Sequence, residues 1–183
     1  MGNTEILKRG DIQMTSTGTG ISHSEKTYGS REVHFLQIWS IPTVHGLSPK
    51  YFTRHFSDEE KRDKWAKVVA PAWDEDVETA DRDGSGPAPV NSALTLYATI
   101  LSPGQTLFRP LKGRKAYVHV IQTSGYNEGE ATGASVRISG ASGSELDLRE
   151  GDGAYVRVDI QGSVMDVTNS GETSAEVLVF DLD

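Results

Sequence analysis

The 183-residue chain contains no cysteine. That excludes a disulfide framework, a thiolate metal site and a cysteine nucleophile. It fits an intracellular protein of the cytoplasm, the nucleus or both. Long apolar runs are also missing. No stretch approaches the roughly 18 apolar residues of a membrane-spanning helix, so no membrane role is expected. The first residues lack the apolar centre of a secretory signal, and Ile6 stands where a myristoylation motif needs Ser or Thr. Basic charge is scarce too. Lys and Arg number 18 against 26 Asp and Glu, a net charge of −8. The short run KRDK at 61–64 follows three acidic residues. Direct binding to a nucleic-acid backbone is therefore not expected. Apolar residues are sparse at 36%, yet enough for a globular core.

Turn formers are plentiful, with 19 Gly and 7 Pro, and this favours β structure. The chemistry concentrates in GDIQMTSTGTGISHSE, residues 10–25. It reads as a strand, a Gly-rich turn, then His23 and Glu25. In an extended chain, side chains two apart project to one face, so one imidazole and one carboxylate emerge together. Such a pair supplies two ligands to a first-row transition metal, but not a complete site. GTG at 18–20 is not a dinucleotide loop: His23 stands where the third glycine belongs, and no βαβ pattern follows.

Further along, VHFLQIWSI at 33–41 reads as a strand with apolar residues on both faces, hence covered on both sides and ended by Pro42. Ser57 and Glu60 form a capping-box pattern that predicts a short helix over 58–64. Residues 65–69 return to a strand-like pattern. The segment 71–90, acidic and containing DGSGPAP, reads as an exposed loop or linker. From 92 onward short strands alternate with turn signals. They are predicted at 93–101, 106–110, 116–123, 134–139, 145–148, 154–160, 163–168 and 175–182, the last apolar on both sides and so central. Regular short strands without intervening helices indicate an all-β sandwich or barrel. His34 reads as a buried imidazole with one backbone hydrogen bond, and His119 as a half-buried strand residue.

Taken together, the stretch at 10–25, VHFLQIW with a proline soon after, GLSPKY, LREGDGAY and AEVLVFDL resemble the pirin family of the cupin superfamily. The resemblance runs from about residue 7 to residue 182. It implies a bicupin: two cupin-type double-stranded β-barrels face to face, with the metal in the N-terminal one. The implied site is three His and one Glu around iron, two of the His from an upstream His-x-His strand and the rest from a later His-x-Glu. His23 and Glu25 fall on that later pair. The preceding turn is similar to the second cupin motif, Gly-x5-Pro-x-Gly-x2-His: Gly10 and Gly18 fit, Ser16 replaces the proline, and His23 comes two positions late. Only nine residues precede Gly10 and none is His, so two of four family ligands are present.

The expected organisation is a partial N-terminal cupin over 1–45, a connection over 46–91, and an intact C-terminal barrel over 92–183. The second barrel carries no His after its GDGAYVRV turn and looks metal-free. Family resemblance implies three functions. One is quercetin 2,3-dioxygenase-like chemistry on Fe(II), with Glu25 as general base and His23 as ligand, given ligands from elsewhere. Another is a non-catalytic co-regulator or redox sensor that binds a protein partner. The third is an inactive truncated paralogue. Half a barrel leaves open edges. The N-terminal part is therefore expected to pack on 50–70 and the second barrel, or to self-associate.

Overall fold

In the computed structural model, residues 2, 4–125 and 131–182 are described. The turn expected near 124–130 therefore lies largely outside the described residues. Twelve strands and one helical turn run in the order β1 (Asp11–Ser16), β2 (Lys50–His55), α1 (Asp58–Lys61), β3 (Ala66–Pro71), β4 (Ala88–Val90), β5 (Thr95–Leu101), β6 (Thr106–Pro110), β7 (Lys115–Val120), β8 (Ser135–Gly140), β9 (Glu145–Arg149), β10 (Gly153–Arg157), β11 (Val164–Asn169) and β12 (Ala175–Leu182).

Two sheets enclose the main core. One has the order β10-β7-β12-β5-β3-β4, the other β6-β11-β8-β9. Alternation sets their facing sides. Val118 and Val120 on β7, Val177 and Val179 on β12, and Val136 and Val167 from the opposite sheet are fully buried in one cluster. Leu111, also fully buried, belongs to the same cluster. Strand β12 is central, between β7 and β5, as its two-sided apolar pattern predicts. Its alternate residues Leu178, Phe180 and Leu182 serve a second cluster on the other side of that sheet, with Val68, Val69, Leu94 and Leu96.

The second cluster receives the N-terminal part. β1 and β2 form a separate antiparallel ladder, Asp11 opposite His55 through Ser16 opposite Lys50. Ile12 and Met14 on β1 pack against the second cluster, and Phe52 on β2 is buried. The N-terminal strand thus docks on 50–55 and on the outer side of the six-stranded sheet. Arg54, also turned inward, donates to the carbonyls of Thr53, Glu78 and Arg82 and so ties the acidic loop to β2.

Several expectations change. The helix is a single turn, with the predicted Ser57–Glu60 capping box present. The 71–90 segment is mostly turns, but its end forms β4, parallel to β3. The largest departure is 33–41. It forms no strand, and its residues are exposed. The apolar alternation was read correctly, but a strand needs a neighbouring ladder to satisfy its backbone, and no described strand lies beside it. His34 is exposed rather than buried, though its Nδ1–H donates to the Gln122 carbonyl at 3.1 Å.

Candidate metal centre

The site grows from two turns around β1. Gly10 precedes the strand with φ of 85°, and a Cβ there would meet the Phe56 carbonyl at 2.4 Å. Gly18 follows it with φ of 53°, and a Cβ there would lie 2.0 Å from the Leu47 carbonyl. That same carbonyl accepts from Thr19 N at 3.0 Å. Only glycine tolerates both the left-handed backbone and this approach. The turn then returns the chain over the outer face of the β1–β2 ladder.

That face is polar, because the apolar residues of β1 and β2 are spent on the second cluster. Asp11, Gln13 and Thr15 share it with their partners His55, Thr53 and Tyr51. His55 Nδ1 and Asp11 Oδ1 are 2.6 Å apart, and Thr53 donates to Asp83. Onto this surface fall both ligands expected from the sequence. His23 Nε2 lies 3.9 Å from Glu25 Oε1, and Gln13 Nε2 donates to the same carboxylate oxygen at 3.3 Å. Tyr51 borders the pair. Burial pushes its phenol up, the carboxylates of Glu5, Asp83 and Glu25 add to that, and the Arg82 guanidinium opposes it.

The pair suits part of a metal site. Two mutually cis ligands at about 2.1 Å from a metal stand roughly 3 Å apart, so a small side-chain rotation closes the observed gap. Both side chains are about half exposed, at 49% and 41%, which leaves room for water or for ligands from another chain segment. Among the described residues, however, no group of three or more His, Asp or Glu comes together. His34 belongs elsewhere: with Leu36, Gln37 and Ile38 following it, it lies over β7. Residues 36–38 and Tyr117, His119 and Phe180 line a cavity of about 270 Å³. His119 is half-buried on β7, and burial pushes its imidazole down.

Gln13 and Tyr51 were not singled out from the sequence. The signal for Gln13 was available, since it lies two positions from Asp11 and two from Thr15 on the polar face of β1. For Tyr51 there was none, because its place beside the pair depends on the long-range pairing of β1 with β2.

Comparison with known proteins fixes the context. The Pirin family model matches residues 1–40, the segment that carries β1, the Gly18 turn and both candidate ligands. A quercetin 2,3-dioxygenase of Escherichia coli K12 is 32% identical over 124 residues, 67% of this chain and 48% of that protein. The chain belongs to the pirin family. It spans about half the length of the relatives it matches. The crystal structure of YhhW from Escherichia coli superposes with a TM-score of 0.52 at 19% identity, covering 78% of this chain and 47% of that one. A second structure, of the bacterial pirin YhhW in complex with nickel(II), superposes equally well, with a TM-score of 0.52 at 20% identity. These matches establish an all-β, cupin-type fold. In this pirin-family chain the six-stranded and four-stranded sheets enclose the main core, and the β1–β2 ladder docks beside the second cluster. Among the described residues no helix is long and apolar enough to cross a membrane.

Proposed function

We propose that this pirin-family chain contributes part of a metal centre, with His23 Nε2 and the Glu25 carboxylate as two ligands and iron as the metal. The observation that carries this reading is the convergence of the two side chains on the polar face of β1, within the segment matched to the family. Gln13 holds Glu25 by a hydrogen bond, the arrangement by which neighbouring groups orient metal ligands. The centre is completed by ligands from outside the described residues. A bound iron would act as a Lewis acid toward an oxygen ligand. Glu25, in reach of such a ligand, would then serve as general base in quercetin 2,3-dioxygenase-like chemistry.

The second reading is a non-catalytic pirin that binds a protein partner. It is favoured by the lack of a third ligand beside the pair among the described residues, and by the apolar surface exposed at 33–41. Anaerobic titration with Fe(II), and with Ni(II) as a redox-silent probe, tests the metal site. One equivalent should bind, and His23→Ala or Glu25→Ala should weaken binding at least tenfold. Gln13→Ala should weaken it about tenfold or more. Metal uptake near zero that is unchanged in His23→Ala ends the metal reading. Oxygen uptake with quercetin then separates the two functions: metal-loaded protein that consumes no oxygen is the partner-binding form.

A further inference from the structure

The main core has a seam on the side of the six-stranded sheet away from β1–β2. One wall is β3 and β5, and the other is β6, the edge strand of the four-stranded sheet. Arg109 stands at an inward position of β6. Its register partner is Met165, which is 3% exposed and part of the main cluster. A cation at such a position calls for a counter-charge or a full set of acceptors. The guanidinium lies over the Tyr97 ring, 4.1 Å from its centroid, and Nε donates to the Pro110 carbonyl at 3.1 Å. Those two contacts fix the plane of the group. They leave both terminal nitrogens without a hydrogen bond or ion pair to a described residue. Arg54 is the contrast: three backbone carbonyls take its terminal nitrogens.

A second donor ends at the same seam. Trp65 immediately precedes β3 and packs against the main cluster, and its Nε1–H is buried with no acceptor among the described residues. Lys67 stands opposite Tyr97 in the β3–β5 ladder. Trp65, two residues back, therefore falls on the Tyr97 side of the sheet. An indole N–H can only donate. The acceptor that suits these donors has two oxygens in one plane, since a carboxylate matches the guanidinium fork with two parallel hydrogen bonds. Charge at the seam favours a single negative charge. Lys67 Nζ is 2.5 Å from Asp76 and 4.0 Å from Asp74, and Lys112 Nζ is 3.5 Å from Asp74. These lysines are already neutralised, and the two aspartates oppose a dianion. Leu107 and Trp65, both packed on the main cluster, suit an apolar body behind the head group.

We propose that this seam binds a small monocarboxylate with an apolar body, its head group held by the Arg109 guanidinium and the Trp65 indole N–H. The site is formed within residues 65–165 and stands independently of the metal reading, since His23 and Glu25 lie beyond the other side of the six-stranded sheet.

Benzoate is the probe, and benzamide, of the same shape without the charge, is its control. Trp65→Phe identifies the Trp65 indole signal in the proton–nitrogen NMR spectrum. Millimolar benzoate should shift that signal saturably and raise the melting temperature of the chain. Benzamide should bind at least about tenfold more weakly, because the charge-assisted hydrogen bonds are lost. Arg109→Lys keeps the charge, loses the fork, and should also weaken benzoate at least about tenfold. Inorganic phosphate at neutral pH, largely a dianion, should bind more weakly than benzoate. The absence of a saturable shift at Trp65 overturns the proposal. So does benzamide that binds as well as benzoate, or undiminished benzoate binding in Arg109→Lys. If Arg109→Lys does not fold, the comparison of benzoate with benzamide on the native chain decides by itself.

Discussion

Glu150 offers a direct test of how the loop after β7 is held against the end of β9. It follows β9, is only 5% exposed, and among the described residues forms no salt bridge with Lys or Arg. Its carboxylate accepts from Thr123 Oγ1 at 2.7 Å, from Ser124 N at 3.1 Å, and from the Ser124 hydroxyl. Burial alone would push this acid up. The hydrogen bonds to Ser124 and Thr123, with help from the adjoining backbone, outweigh it and bring the acid from 4.5 down to about 2. The folded state therefore holds the charged form more strongly than the unfolded chain does. Its contribution is fully present above about 4.5, declines as pH falls, and is gone below about 2. At about 1.4 kcal/mol per tenfold change, that is about 3 kcal/mol at neutral pH. Glu150→Gln keeps the shape and removes the titration. Urea unfolding of both proteins from pH 7 to pH 2.5 isolates the effect, because the other acids cancel in the difference. The stability gap should be largest near pH 7 and shrink steadily below pH 4.5. A gap that stays constant with pH would refute the assignment of the stabilisation to the charged carboxylate.

Two further substitutions probe other parts of the molecule. Gly18→Ala forces a Cβ toward the Leu47 carbonyl in a left-handed backbone; it should cost about 1–3 kcal/mol by thermal or urea unfolding and weaken metal binding by displacing His23 and Glu25 together. Leu111→Ala empties a fully buried position between the two large sheets and should cost about 2–5 kcal/mol in urea, with the metal affinity unchanged because the cavity is remote from β1.

Much of the barrel was legible because its signals are local. The turn residues between β5 and β12 and the alternation of Val177, Val179 and their neighbours specify strands without knowledge of their partners. The central place of β12 follows from apolar residues on both its faces. The Ser57–Glu60 cap was legible for the same reason: it is completed within four residues. What depends on distant pairing was not legible. The pairing of β1 with β2 brings Tyr51 beside Glu25 across more than twenty residues of chain, and no local pattern encodes it. Arg54 is another case. A charged residue at an inward position of β2 reads as a mistake until the carbonyls of Glu78 and Arg82 are seen to receive it.

The segment 33–41 shows where local and global information part. Its alternation is as strong as that of β12, so the same rule predicted a strand in both places. The difference lies in the neighbours. β12 has β5 on one side and β7 on the other, and residues 177–181 have ladder partners on both sides. Residues 33–41 have only side-chain anchors, at His34 and Ser40. Periodicity reports which residues seek burial, and it is silent on whether the same chain supplies the burying surface. Among the described residues the pattern is satisfied by neighbouring strands at β12 and left exposed at 33–41.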